Sequence, residues 1–208
     1  MNSNRQSQRG NMKAPKSSGG FEKHPEGAYA IVCTRIIDMG SVFNPAKNKD
    51  DHKLMIGFES SELMTNVDNN GKPFMVFGNF NFTMFQNSHL CKFVEAWKGK
   101  AFATQEEADV FDLSKLLAQP AFANIVYNGD YVNIQSIMPV PKGMDSPRPV
   151  GELLIFDMAT QDKAVFDKLS EKMQERLKKA KEFGSVFSDE PPAGHPATEP
   201  DDDGIPFK

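Results

Sequence analysis

One change of period organises this chain. From Ala28 to Phe85 apolar and β-branched residues come in short alternating runs separated by turn residues. From Asn87 to Gly99 they come every third or fourth residue, placing Leu90, Phe93, Val94 and Trp97 on one helical face, and from Ala121 to Met138 alternation returns. The runs Ala28–Ile37, His52–Glu59 and Phe74–Phe82 read as three strands, with Asn44–Asp51 as a polar loop and Asp68-Asn69-Asn70-Gly71-Lys72-Pro73 as a turn. Asn87 or Ser88 caps the helix and Gly99 stops it; Asp112 caps a shorter turn reaching Leu117. Asn128-Gly129-Asp130 joins Ala121–Tyr127 to Tyr131–Met138 as a hairpin.

The order β-β-β-α-β-β predicts a mainly β protein, a five-stranded OB-fold barrel with its helix between strands 3 and 4. Residues 21–143 would form this domain. A linker and amphipathic helix fill 144–184: after a Pro/Gly-rich stretch at Pro139–Gly151, one helix over Thr160–Phe183 carries Val165, Phe166, Leu169, Met173, Leu177 and Ala180 on its apolar side. That helix is expected either to cover the barrel or to self-associate. At 208 residues the chain suffices for one such domain with tails. Residues 1–20 read as a disordered basic arm and 185–208 as a disordered acidic tail, because neither holds enough apolar residues to build a core.

Charge is distributed unevenly. The net charge is −4, yet residues 1–24 carry Arg5, Arg9, Lys13, Lys16 and Lys23 against Glu22, while 185–208 carry six acids against Lys208. Any field for a polyanion must therefore be local. No run approaches the roughly 20 apolar residues that span a bilayer, and Met1-Asn2-Ser3-Asn4-Arg5 lacks the apolar stretch of a signal peptide, so a cytoplasmic protein with no membrane partner is expected. Cys33 and Cys91 have neither metal-ligand spacing nor a disulfide framework, and read as buried apolar side chains.

Binding single strands without sequence preference takes aromatic faces for bases and cations for phosphates. Alternation puts Phe74, Val76, Phe80 and Phe82 on one side of the third strand, as core, and Met75, Phe77, Asn79 and Asn81 on the other. Phe77 is the stacking candidate of that strand; Tyr127 and Tyr131, flanking a hairpin turn, are the other two. Arg35, Lys47, Lys49, Lys53 and Lys72 lie on the first two strands and their connections and are the candidate phosphate contacts. They would be contiguous if the first three strands form a meander. Catalysis is not expected. There is no phosphate-binding Gly-x-x-x-x-Gly-Lys-Ser/Thr loop, no His-Glu-x-x-His and no paired Cys-x-x-Cys, and His24, His52, His89 and His195 are scattered, so no catalytic residue, metal or cofactor is assigned. A magnesium nuclease built on Asp50-Asp51, Glu106-Glu107 and Asp109 is disfavoured by their loop and capping positions.

The end of the chain carries a second motif. Asp201, Asp202 and Asp203 precede Ile205-Pro206-Phe207, so mutually repelling carboxylates hold out an apolar knob that a basic-rimmed pocket could take. This Asp-Asp-Asp-Gly-Ile-Pro-Phe segment resembles the acidic C-terminal tip of bacterial and phage single-stranded DNA-binding proteins. It departs from that pattern at Gly204 and at Lys208, which follows the phenylalanine. The body, over about residues 24–143, resembles phage proteins of that type in His24-Pro25-Glu26-Gly27, Ile37-Asp38-Met39-Gly40, Phe58-Glu59, Gly71-Lys72-Pro73-Phe74, Phe82-Thr83 and Glu95-Ala96-Trp97-Lys98-Gly99-Lys100-Ala101-Phe102. The resemblance implies single-stranded DNA binding in replication, recombination or repair, in a bacterial host cytoplasm. It also implies recruitment of enzymes through Asp201, Asp202, Asp203, Ile205, Pro206 and Phe207. Alternatives are an interaction protein whose tip diverts host repair enzymes, and a strand-annealing recombinase. A homo-oligomer is compatible with all of them.

Overall fold

The computed structural model describes residues 22–65 and 69–184; the basic arm and the acidic tail with its tip lie outside the described residues. Five strands form an antiparallel sheet in the order β3-β2-β1-β4-β5: β1 Gly27–Asn44, β2 Lys49–Leu63, β3 Pro73–Asn81, β4 Pro120–Asn128 and β5 Tyr131–Met138. A sixth, β6 (Leu154–Phe156), runs parallel to Arg35–Ile37 of β1. The fold is mainly β, as the alternation predicts, and the ends of this order, β3 and β5, lie beside each other. Between β3 and β4 come α1 (His89–Lys98), α2 (Gln105–Asp109) and a 3-10 turn at Leu113–Leu116. Ser88 caps α1 by accepting the Cys91 amide at 3.1 Å, and Gly99 ends it with φ 67°, a left-handed conformation that suits glycine.

Register shifts at Cys33/Arg35 and Asp38/Gly40 bend β1, so its first half pairs with β4 and its middle with β6. The bend separates two cores. Ile31, Ile56, Phe58, Val76, Leu90, Val94, Trp97 and Ile125 fill the inner one, where the Trp97 indole N–H donates to the Pro120 carbonyl at 2.9 Å. Cys33 and Cys91 are buried there as free thiols, and burial pushes Cys33 up to about 12. On the other side of the sheet, Ile37, Met39 and Met55 are covered by Leu154, Phe156, Met158, Phe166, Leu169, Leu177 and Ala180. Each fully buried side chain of this size contributes about 2 kcal/mol.

The C-terminal layer corrects two expectations. The single helix expected over Thr160–Phe183 is two short ones, α3 (Lys163–Asp167) and α4 (Glu171–Leu177). The break is stabilised by Gln174, whose amide donates at 3.0 Å to the carbonyls of both Phe166 and Leu169. The apolar side chains keep their inward spacing across it, and the segment covers the sheet of its own chain. Residues 154–156, left without an element by sequence reasoning, supply β6. Several polar ties hold this layer. The buried Glu59 carboxylate accepts the amides of Val150 at 2.7 Å and Gly151 at 2.9 Å, Glu182 accepts the Ser41 amide at 2.8 Å, and Lys181 pairs with Asp50.

Two further corrections concern the strands of the sheet. The polar loop expected over Asn44–Asp51 is a four-residue turn, Pro45–Asn48, because β1 and β2 continue their ladder to Asn44↔Lys49. Phe82 is not core: β3 ends at Asn81, and the Phe82 ring, 38% exposed, stands edge-on to His52 at 5.2 Å.

Candidate functional site

Among the described residues, two clefts have linings of opposite charge. The larger, about 830 Å³, lies between the end of β3, the start of α1, Tyr131 on β5 and α4. Its polar lining comprises Lys53, Lys172, Arg176, His89, Asn79, Asn81, Thr83, Ser88 and Tyr131, and no carboxylate among the described residues lines it. The smaller, about 420 Å³, lies where the two cores meet; Asp38, Asp109, Asp112 and Asp157 line it together with apolar side chains, and no Lys or Arg among the described residues does.

The cations of the larger cleft come from two elements, β2 and α4. Lys53 extends from β2, where its ammonium meets Asn81 Oδ1 at 2.6 Å and Asp51 Oδ2 at 3.1 Å. Asp51, almost buried, also accepts from the Asn44 amide at 2.7 Å and from Lys47 at 3.1 Å, and these donors, Asn44 first, hold its carboxyl well below the usual carboxylate range. Lys172 and Arg176, four residues apart on α4, share the helix face turned to the cleft and form no ion pair among the described residues. Their position follows from the burial of Leu177 in the outer core, which fixes α4 against the sheet. Tyr131 is 77% exposed, so its ring faces are open.

Of the residues singled out from sequence, Lys53 and Tyr131 line this cleft. The first three strands do form the expected meander, yet it does not gather the cations. Lys53, paired with Asn81, and Lys72, just before Pro73, lie at opposite ends of β3, roughly 30 Å apart by strand rise. Lys47 is committed to Asp51, and Lys49 is exposed at the base of the Pro45–Asn48 turn. Arg35 pairs with Gly57 on β2, and Phe77 lies opposite the same glycine, half-buried against the outer core. A Cβ at Gly57 would meet Phe77 Cε1 at 2.8 Å and Arg35 Cβ at 3.2 Å, so that glycine is what lets the ring lie flat on the strand. Tyr127 holds the N-terminal segment: its hydroxyl donates to the His24 carbonyl at 2.8 Å, its amide donates to Glu26 at 2.7 Å, and the Lys23 ammonium lies 5.9 Å from its ring. The tip residues Asp201, Asp202, Asp203, Ile205, Pro206 and Phe207 lie outside the described residues.

Sequence reasoning missed Lys172 and Arg176. Their one local signal is the four-residue spacing of two cations on the polar side of an amphipathic segment, a pattern that also describes any solvated helix face. Asn79 and Asn81 were noted only as neighbours of Phe77. Among the described residues no group of three or more His, Cys, Asp or Glu is placed to hold a metal ion, and no helix is long and apolar enough to cross a membrane. The chain matches no family model, no curated protein and no solved structure.

Proposed function

We propose that this protein binds single-stranded DNA without sequence preference and presents its acidic tip to enzymes of replication, recombination or repair. The observation that carries the reading is the larger cleft, in which three cations, two asparagines and an open tyrosine ring meet with no carboxylate among them. Lys53, Lys172 and Arg176 hold backbone phosphates there, Tyr131 stacks a base, and the amides of Asn79 and Asn81 bond whichever base edge or sugar oxygen is presented. Stacking on one such ring contributes about 1–3 kcal/mol and discriminates little between bases.

The architecture supports the same reading. The order β3-β2-β1-β4-β5, the helices inserted between β3 and β4, and the neighbouring ends of the sheet fit a five-stranded OB barrel whose closure falls between β3 and β5. The larger cleft lies beside that closure. Enzyme recruitment rests on the tip's resemblance.

Fluorescence anisotropy of a labelled oligo-dT and of the matching duplex, at low and moderate salt, tests the proposal. Preference for the single strand, with affinity falling as salt rises, is expected. Equal affinity for the duplex, or no binding of either at low salt, rules the reading out.

A further inference from the structure

The hairpin turn between β4 and β5 carries a covalent chemistry that binding does not use. In the pair Asn128-Gly129 the asparagine side chain is open to attack by its own backbone, because the nitrogen of a glycine is shielded by no Cβ. That nitrogen, once its proton is taken by hydroxide, bonds to the side-chain carbonyl carbon; the bond from this carbon to the amide nitrogen breaks, and ammonia leaves. Water then opens the resulting cyclic imide at either carbonyl. The product is aspartate or, where the chain comes to run through the side-chain carbon, isoaspartate. No oxidant, metal or enzyme takes part.

An Asn-Gly pair occurs twice in the chain, and the fold treats the two differently. At Asn70-Gly71 the nucleophile is withheld, since the Gly71 amide donates to the Met64 carbonyl at 2.9 Å and that bond must break before attack. At Asn128-Gly129 it is free. Neither the Gly129 amide nor the Asn128 side chain has a hydrogen-bond partner among the described residues. Both residues are exposed, and the position a Cβ on Gly129 would take has no atom within 4 Å, so nothing packed on the turn keeps the nitrogen from the Asn128 side chain.

The product alters the site beside it. Asn128 pairs directly with Tyr131 across the hairpin, which sets their Cβ atoms about 5 Å apart. Conversion replaces a neutral amide there by a carboxylate, and isoaspartate also lengthens the backbone where the β4–β5 register ends. Lys23, the cation that reaches this turn, is already paired with Asp130 at 2.9 Å. A strand stacked on Tyr131 brings its phosphates toward the new negative charge.

We propose that Asn128 is a deamidation site that uses the Gly129 amide as nucleophile, and that the carboxylate so formed beside Tyr131 weakens the larger cleft for single-stranded DNA. The second half rests on the function proposed above. Because the change runs one way and needs no partner, DNA affinity falls with the age of the molecule.

Peptide mapping by mass spectrometry of the full-length protein, aged at neutral and mildly alkaline pH, tests the first half. Asn128 is expected to convert faster as pH rises, with isoaspartate among the products, and about fivefold or more ahead of Asn70, whose nucleophile must first give up a hydrogen bond. Asn128→Gln, with a longer side chain that closes the ring poorly, should stay intact. Anisotropy with labelled oligo-dT tests the second half: aged wild type should bind about threefold more weakly than fresh protein at low salt, and aged Asn128→Gln as tightly as fresh. An Asn128 that stays intact while Asn70 converts overturns the proposal, as does a converted protein that binds oligo-dT like the fresh one. Should fresh protein bind no oligo-dT, the function proposed above fails and the second half with it, while the mass readout still decides the modification.

Discussion

Both clefts draw on β1, β2, the segment that follows β3 and the C-terminal layer, yet they differ in charge and in floor. The larger takes Lys53 from β2 and Lys172 and Arg176 from α4; the smaller takes Leu54 from β2 and Ile155, Phe156 and Asp157 from β6 and its exit. Lys53 and Leu54 are adjacent in sequence and point to opposite sides of the sheet, so the alternation of one strand sorts a cation into one cleft and an apolar side chain into the other. The C-terminal layer completes both. The sheet without residues 150–184 would lack two of three cations in one cleft and one apolar lip of the other. This layer therefore shapes both clefts as well as covering Ile37, Met39 and Met55.

The most damaging test of that comparison is to loosen the layer. Phe156 is 1% exposed and packs its ring 6.1 Å from Phe166, so Phe156→Ala should cost about 3–5 kcal/mol of stability. Both clefts should fail together, with single-strand affinity lost as the layer detaches. Hydrogen exchange would show it, with protection falling first at Leu154–Phe156 and across α3 and α4. If the protein unfolded as a whole, with no earlier exposure of these elements, the layer would be part of one cooperative unit and the two-part description would be wrong.

Next in size is the charge contrast. Replacing Lys172 and Arg176 together by alanine should remove about two phosphate contacts, lowering the slope of log affinity against log salt for single-stranded DNA by about 1.4. Stability should change by less than about 0.5 kcal/mol, because neither side chain has an ion-pair partner among the described residues. Asp109→Asn with Asp112→Asn in the smaller cleft is the matched control, and should leave that slope unaltered. A slope that moves with the aspartates and not with the cations would reverse the assignment of the clefts.

A finer contrast separates the two tyrosines of one hairpin. Tyr131→Ala should weaken single-strand binding by about 1–3 kcal/mol with little change in thermal stability. Tyr127→Phe should do the opposite, since it removes a hydroxyl bonded to the His24 carbonyl and costs about 1 kcal/mol of stability without touching the larger cleft. Melting temperature and anisotropy measured on both variants check the pair.

These tyrosines show what could be read from the chain and what could not. Alternation and turn residues located every long strand, and the spacing of Leu90, Phe93, Val94 and Trp97 with Gly99 behind them located α1, because each signal is local. The same local rules placed Tyr127 and Tyr131 as equals, whereas one holds the N-terminal segment and the other stands open, a difference set by Lys23, His24 and Glu26 about a hundred residues away. β6 escaped because three residues in parallel pairing carry no period of their own, and their partner Arg35–Ile37 lies far upstream. The break between α3 and α4 escaped because the apolar spacing runs through it and only Gln174, reaching back to two carbonyls, marks it. Lys172 and Arg176 could not be recognised as cleft residues without knowing which side of the sheet α4 covers.

The smallest expected effect concerns acid, and it arises away from both clefts. His24 is 2% exposed, between the rings of Tyr29 and Phe74 at 4.7 and 4.9 Å. Its Nδ1 lies 2.6 Å from the Pro25 carbonyl, which can only accept, so Nδ1 carries the proton and Nε2 accepts from the Ser60 hydroxyl at 2.7 Å. Burial holds its pKa below the ordinary value of 6.5, against smaller opposing effects of the Pro25 carbonyl and Glu62. The folded protein therefore binds this proton less readily than the unfolded chain. The stabilisation should be complete above the unfolded value, decline as pH falls below about 6.5, and level off beneath the folded value. Denaturant midpoints measured stepwise from neutral pH into the acid range should show this decline in wild type, and a shallower one in His24→Gln, which keeps a donor and an acceptor but cannot titrate. Equal slopes in the two proteins would mean that His24 is solvated, and that the N-terminal segment from which the basic arm departs is held by Tyr127, Lys23 and Glu22 alone.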